Sequence, residues 1–194
     1  PEGMTYMEYL RFYEHLKDTF NPIHFDPDKW AEAAEYAGMK YVVFTTKHHD
    51  GFNMFDTNLT DYKVTDEGCP FHSNPRSNIA KEAFNSFRAK GLKAGAYFSI
   101  ADWHNNDYWW KFFSPKDRYI NYDPARWPEK MTSFEDYVES QVRELTNGDY
   151  GKIDLMWLDL CEISETYEIH FPWGRIAAAA REGQPGMITV ARGT

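Results

Sequence analysis

The feature that most constrains this chain is an alternation: short runs rich in β-branched and aromatic residues are separated by segments of helical period. Residues 26–38 read as a helix, with Asp26 as N-cap, Pro27 at the first helical position and Gly38 just past the end. Residues 41–46 (Tyr-Val-Val-Phe-Thr-Thr) follow as a strand expected to be buried on both faces. Residues 78–90 are again amphipathic, with Ala80, Ala83, Phe84 and Phe87 on one side and Gly91 as the stop. Residues 93–100 form the next strand. Thr132 and Glu135 read as a capping box ahead of Tyr137, Val138, Val142 and Leu145. A strand at 153–159, a helix at 173–182 and a strand at 187–191 complete the series.

Helices between strands imply parallel pairing through right-handed crossovers, so the predicted class is α/β. No glycine-rich phosphate loop follows any strand, which leaves an open doubly wound sheet as the weaker alternative to a barrel. Two connections are long, 47–75 and 101–131, and both leave the C-terminal end of a strand. Long connections in a compact unit are usually functional, and that rim is where barrel enzymes build their sites. A complete (β/α)8 barrel needs roughly 250 residues. With 194 residues and four strand candidates, the chain is expected to be part of a (β/α)8 TIM-like barrel. Strands 2–5 with their helices are the natural identification, with residues 1–194 an incomplete piece of a single catalytic domain.

Composition narrows the partners. A net charge of −9 argues against a nucleic-acid backbone and against an anionic membrane surface. No run approaches the ~18 apolar residues of a membrane span. Aromatics are abundant; Trp103, Tyr108, Trp109, Trp110 and Trp127 lie in stretches read as neither strand nor helix, and Trp173 stands at the very start of the 173–182 helix. There they are either packing or flat platforms for ligands with apolar and hydroxyl faces. Cys69 and Cys161 match no metal spacing and do not decide a compartment. The chain starts with Pro1 rather than Met, so a signal segment upstream is compatible with it.

The densest chemical signal is Lys47-His48-His49-Asp50-Gly51-Phe52, directly after the first strand. Two adjacent imidazoles can both face a ligand only if the chain turns there, and Gly51 permits the turn. Asp159 closes an apolar strand and must reach solvent, a partner or a substrate, because an unpaired buried charge costs several kcal/mol. Alone it reads more simply as a helix cap or the partner of a buried Arg; its pairing with the histidines raises the functional reading. Tyr97, on the strand before Trp103, either touches a ligand or fills a layer. Arg192 is a permanent cation at the same rim or a surface residue.

These residues resemble a known family. The block from Trp30 through residues 37–52, Ala-Gly-Met-Lys-Tyr-Val-Val-Phe-Thr-Thr-Lys-His-His-Asp-Gly-Phe, is similar to the signature of glycoside hydrolase family 29, the α-L-fucosidases. The likeness continues through Gly91–Ser99 and Trp103, then Tyr137, Gln141, Glu144 and Leu145, the 153–159 strand, and Val190-Ala-Arg-Gly193. It implies a β/α barrel that removes terminal α-L-fucose from an oligosaccharide or glycoconjugate with retention, needing no cofactor and no metal. It also implies that Asp159 is the nucleophile, that His48 and His49 bind sugar hydroxyls, and that Tyr97 and Arg192 line the pocket. A secreted, periplasmic or lysosomal setting follows from the same likeness.

The chain departs from the family pattern in three places. Leu160 stands where relatives usually have Gly, which bears on how Asp159 is presented. The family's first strand and its acid/base Glu are expected before Pro1 and beyond Thr194; Glu162 and Glu165 inherit no role. Two rival readings follow: a fucose-binding member that does not cleave, and a metal-dependent barrel hydrolase using His48, His49, Asp102 and His104.

Overall fold

The computed structural model describes residues 3–108, 126–160 and 171–192. Trp109, Trp110, Cys161, Glu162, Glu165, Gly193 and most of the 101–131 connection lie outside them. The element order is α1 (Tyr6–Glu14), a 3₁₀ turn (His15–Thr19), α2 (Pro27–Tyr36), β1 (Tyr41–Lys47), a second 3₁₀ turn (Pro70–Ser73) and α3 (Ile79–Ala89). Then come β2 (Lys93–Ser99), α4 (Pro128–Thr146), β3 (Leu155–Asp159), α5 (Trp173–Gly183) and β4 (Ile188–Arg192).

All three strand pairs are parallel, and the order across the sheet is β1-β2-β3-β4. A doubly wound sheet reverses its order at a switch point; a barrel does not. This sheet is therefore a sector of a β/α barrel. Alternation along each strand sorts the side chains into two faces. Ala94, Ala96, Phe98, Met156 and Leu158 join Phe84, Phe134, Val138, Val142, Leu145 and Ile176 in one buried cluster on the helix side. Each fully buried Leu or Phe there contributes about 1.5–3 kcal/mol. The other face carries Tyr97, Ser99, Trp157, Asp159 and Arg192.

Local signals explain the helix ends. Asp26 Oδ1 caps α2 by accepting from the Lys29 amide at 3.2 Å, Pro27 opens it, and Gly38 leaves it at φ 72°. Asn78 caps α3 in the same way, and Gly91 stops the chain at φ 76°. Among the described residues no helix is long and apolar enough to cross a membrane.

Two expectations require correction. α4 does not start at a Thr132–Glu135 capping box; it starts at Pro128, which takes the first-turn position where its missing N–H costs nothing. Thr132 lies inside the helix and its Oγ1 donates back to Pro128 O at 3.3 Å, while Glu135 faces Arg175. The first strand is not buried on both faces. Val42 and Phe44 pack against Ala31, Ala34, Phe87 and Leu92, but Tyr41 is 62% exposed, and only Thr46 and Lys47 are buried. β1 is an edge of the described sheet, and its inner face has no layer against it there.

Candidate active site

The C-terminal strand tips place the candidate residues in one row. In the parallel register Ser99 stands beside Asp159 and Asp159 beside Arg192; two residues earlier, Tyr97 stands beside Trp157. Tyr97 Oη donates to Asp159 Oδ2 at 2.7 Å, and Arg192 Nη1 donates to the same oxygen at 3.2 Å. Asp159 is only 1% exposed, and its Oδ1 has no hydrogen-bond partner among the described residues. A buried carboxylate with both donors on one oxygen is an arrangement that calls for an explanation, and a catalytic role is one of the few that suffice.

The histidine pair arrives from the neighbouring strand. The β1–β2 register shifts between Thr45 and Lys47, and the chain then turns, with the Gly51 amide donating to His48 O at 3.0 Å. Gly51 sits at φ 83°, and a Cβ there would lie 2.3 Å from Asp102 Oδ1. The turn thus needs glycine for both its backbone and its space. It presents an exposed His48 and a buried His49. The His48 ring stacks on Tyr97 with centroids 5.7 Å apart and planes at 11°, and lies 4.3 Å from the His49 ring. His49 contacts the Trp103 ring at 5.6 Å, and its carbonyl accepts from the Trp103 amide at 2.7 Å. Burial first, then the neighbouring His48, hold the His49 pKa below the usual histidine range. His49, His48, Tyr97, Asp159 and Arg192 form one continuous chain of contacts.

Comparison with known proteins bears on what such a row is for. The α-L-fucosidase family model matches residues 3–193. The chain belongs to the α-L-fucosidase family. Among curated relatives, α-L-fucosidase 1 of Arabidopsis thaliana is 28% identical over 72% of this chain and 23% of its own length. Plasma α-L-fucosidase of Homo sapiens is 28% identical over 75% of this chain and 30% of its own length. The chain thus spans less than a third of these relatives. Among solved structures, α-L-fucosidase isoenzyme 1 from Paenibacillus thiaminolyticus superimposes with a TM-score of 0.73 at 35% identity, covering 96% of this chain and 41% of that one. AlfC from Lactobacillus casei, in complex with its α-L-fucose product, gives 0.70 at 30% identity, covering 92% and 56%.

Beneath the rim, this α-L-fucosidase family member carries a buried polar network that sequence reasoning missed. Lys47 is 0% exposed. Its Nζ donates to Asp102 Oδ2 and to Gln141 Oε1, both at 3.0 Å. Gln141 Nε2 donates to Asn53 Oδ1 at 3.0 Å, and Asn53 Nδ2 donates to Gly51 O at 2.8 Å. Asp102 Oδ1 accepts from the amides of His104 and Asn105 at 3.1 and 3.0 Å. The network therefore fastens the histidine turn, the loop after β2 and α4 to one another. A Lys closing an otherwise uncharged strand run was the available signal. Trp157 was also missed: it is on the same face as Asp159 and 36% exposed there, which its place two residues before Asp159 implied.

The rival metal set is not assembled. Asp102 is committed to Lys47, and His104 Nδ1 lies 2.9 Å from Glu14 Oε1 with its ring stacked on Tyr62 at 4.2 Å. Among the described residues no group of three or more His, Cys, Asp or Glu is placed to hold an ion. Cys69 is buried, its thiol against Phe20 O at 3.4 Å.

Proposed function

We propose that the complete protein is a retaining exo-α-L-fucosidase, that residues 1–194 belong to its single catalytic barrel domain, and that Asp159 is the nucleophile. The observation that carries this reading is the asymmetry at Asp159. Tyr97 and Arg192 hold Oδ2, and Oδ1 is the oxygen left to attack the anomeric carbon of a terminal α-L-fucose. Attack forms a glycosyl–Asp159 ester and releases the aglycone; water then cleaves the ester, and two displacements restore the starting configuration. Two bonds on Oδ2 stabilise the carboxylate before attack and orient it, as preorganised donors do. His48 and His49 bind ring hydroxyls, Trp157 offers an apolar face, and fucosylated oligosaccharides or glycoconjugates are the substrate class. A retaining site also needs an acid/base carboxyl about 5–5.5 Å from the nucleophile; none of the described residues is proposed for it.

The test is turnover of an aryl α-L-fucoside by the complete protein. Asp159→Ala is expected to lose nearly all activity, and Asp159→Asn, which keeps the side-chain volume and an oxygen that can accept from Tyr97 and Arg192, is expected to lose it too while remaining folded by circular dichroism. A 2-fluoro-fucosyl reagent is expected to label the peptide containing Asp159. Near-normal turnover by the variant, or a label elsewhere, removes the assignment.

A further inference from the structure

A hydrogen-bond count at Ser99 has a consequence for His49. Ser99 Oγ lies 2.7 Å from Ala101 O and 2.5 Å from His49 Nδ1. A hydroxyl carries one proton, and a backbone carbonyl only accepts. The Ser99 proton is therefore committed to Ala101, and Ser99 Oγ is the acceptor toward His49. We propose that Ser99 is a positioning residue that fixes His49 as its Nδ1–H tautomer, so that Nε2 accepts a hydrogen bond from a fucose hydroxyl. The sugar contact rests on the proposed fucosidase reading; the tautomer rests only on the geometry.

Three observations favour a built relay over a chance contact. Ser99 is 0% exposed, so water does not compete for its proton. Its backbone is clamped in register against Asp159, and the next amide, Ile100, donates to Asp159 O at 2.8 Å, which ties the relay to the same strand pair as the proposed nucleophile. The His49 backbone is further held by the Trp103 amide on its carbonyl, and its ring lies against the Trp103 ring at 5.6 Å. Burial lowers the pKa of the ring, which favours the neutral form and its one acceptor nitrogen. The chemistry complements the rest of the row, where Tyr97 and Arg192 both donate. A sugar hydroxyl is at once donor and acceptor, and an acceptor nitrogen on His49 takes its proton without drawing on Asp159 Oδ1.

The tautomer is read directly by long-range ¹H–¹⁵N NMR on the complete protein, with the His49 ring assigned by loss of its signals in His49→Gln. The expected wild-type ring is neutral, protonated at Nδ1 and bare at Nε2. Ser99→Ala should admit the Nε2–H form and raise KM for an aryl α-L-fucoside about 3- to 10-fold, the value of one hydrogen bond, with a smaller change in kcat. Ser99→Thr, which keeps the hydroxyl, should restore both the spectrum and KM. A wild-type ring protonated at Nε2 overturns the relay without any variant having to fold. An unchanged spectrum or KM in Ser99→Ala overturns it as well. A ring with the expected tautomer in a protein that binds no fucoside overturns the functional reading and the sugar contact, and leaves the relay standing.

Discussion

Replacing Lys47 with Met tests how the rim is held together. The stem of Lys47 already lies among aromatic side chains, with Nζ 4.4 Å from the Phe98 ring centroid and 5.4 Å from that of Tyr137, so Met fills nearly the same volume. What disappears is the charge. Asp102, 1% exposed, is left a buried carboxylate whose Oδ2, among the described residues, faces the Tyr137 hydroxyl at 3.5 Å. Removing one partner of a buried pair costs about 3–5 kcal/mol. The His104 and Asn105 amides still satisfy Oδ1, which places the cost near the lower bound. Gln141 Oε1 also loses its donor, adding about 1 kcal/mol. The expected loss is about 3–4 kcal/mol. It should appear in urea unfolding as a lower midpoint at unchanged slope. Adding Asp102→Asn to Lys47→Met removes the orphaned charge and should recover at least about 1 kcal/mol, because the two sites share one interaction. A single-variant loss below about 1 kcal/mol would refute the reasoning. So would a double variant whose cost equals the sum of the two singles.

Two more perturbations probe the same rim. Gly51→Ala forces a side chain to φ 83° and drives its Cβ onto Asp102 Oδ1; we expect a stability loss of about 2–5 kcal/mol with a raised KM, and a neutral result in both assays would contradict the turn geometry. The His104–Glu14 pair, which fastens α1 to the loop after β2, predicts a pH dependence. Burial alone lowers the His104 pKa, but the Glu14 bond and the charges of Asp102 and Asp61 outweigh it and raise it above 6.5. A raised folded-state pKa contributes stability that is complete below the unfolded value and is lost as pH rises through the folded one. Hydrogen exchange in α1 should therefore be slower at mildly acidic than at mildly alkaline pH, once corrected for the intrinsic rate, and Glu14→Gln should abolish the difference. Protection that grows with pH would oppose this.

Much of the architecture was legible because its signals are local. Asp26, Pro27 and Gly38 act on backbone groups within a turn of themselves, as do Asn78 and Gly91, whereas the equally local Thr132–Glu135 signal was displaced by Pro128 four residues earlier. α1 escaped notice for the opposite reason. Thr5 and Glu8 do form a capping box, but Tyr6–Glu14 contains no buried residue, so no apolar stripe marked it as a core helix. The β1 prediction failed because its composition reports what a strand can pack against, whereas its burial depends on which neighbours are present. The candidate site was visible one residue at a time. Tyr97 and Asp159 are 62 positions apart, and only the register of β2 against β3 brings hydroxyl to carboxylate.

Leu160 shows how far the alternation rule reaches. Its presence where relatives usually have Gly suggested a reshaped loop beside Asp159. A strand side chain, however, points opposite to its neighbour. Leu160 is 0% exposed in the cluster that holds Ile176 and Leu158, on the helix side, while Asp159 faces the row of Tyr97 and Arg192. Its amide donates to Arg192 O at 3.0 Å, which extends the β3–β4 ladder one residue past the strand's end. Glycine at that position would keep the amide and lose the apolar anchor, freeing the backbone at the residue next to the carboxylate. Leucine at this position thus tightens the support behind Asp159 and leaves the face of the sheet that carries Tyr97, Asp159 and Arg192 unobstructed by Leu160.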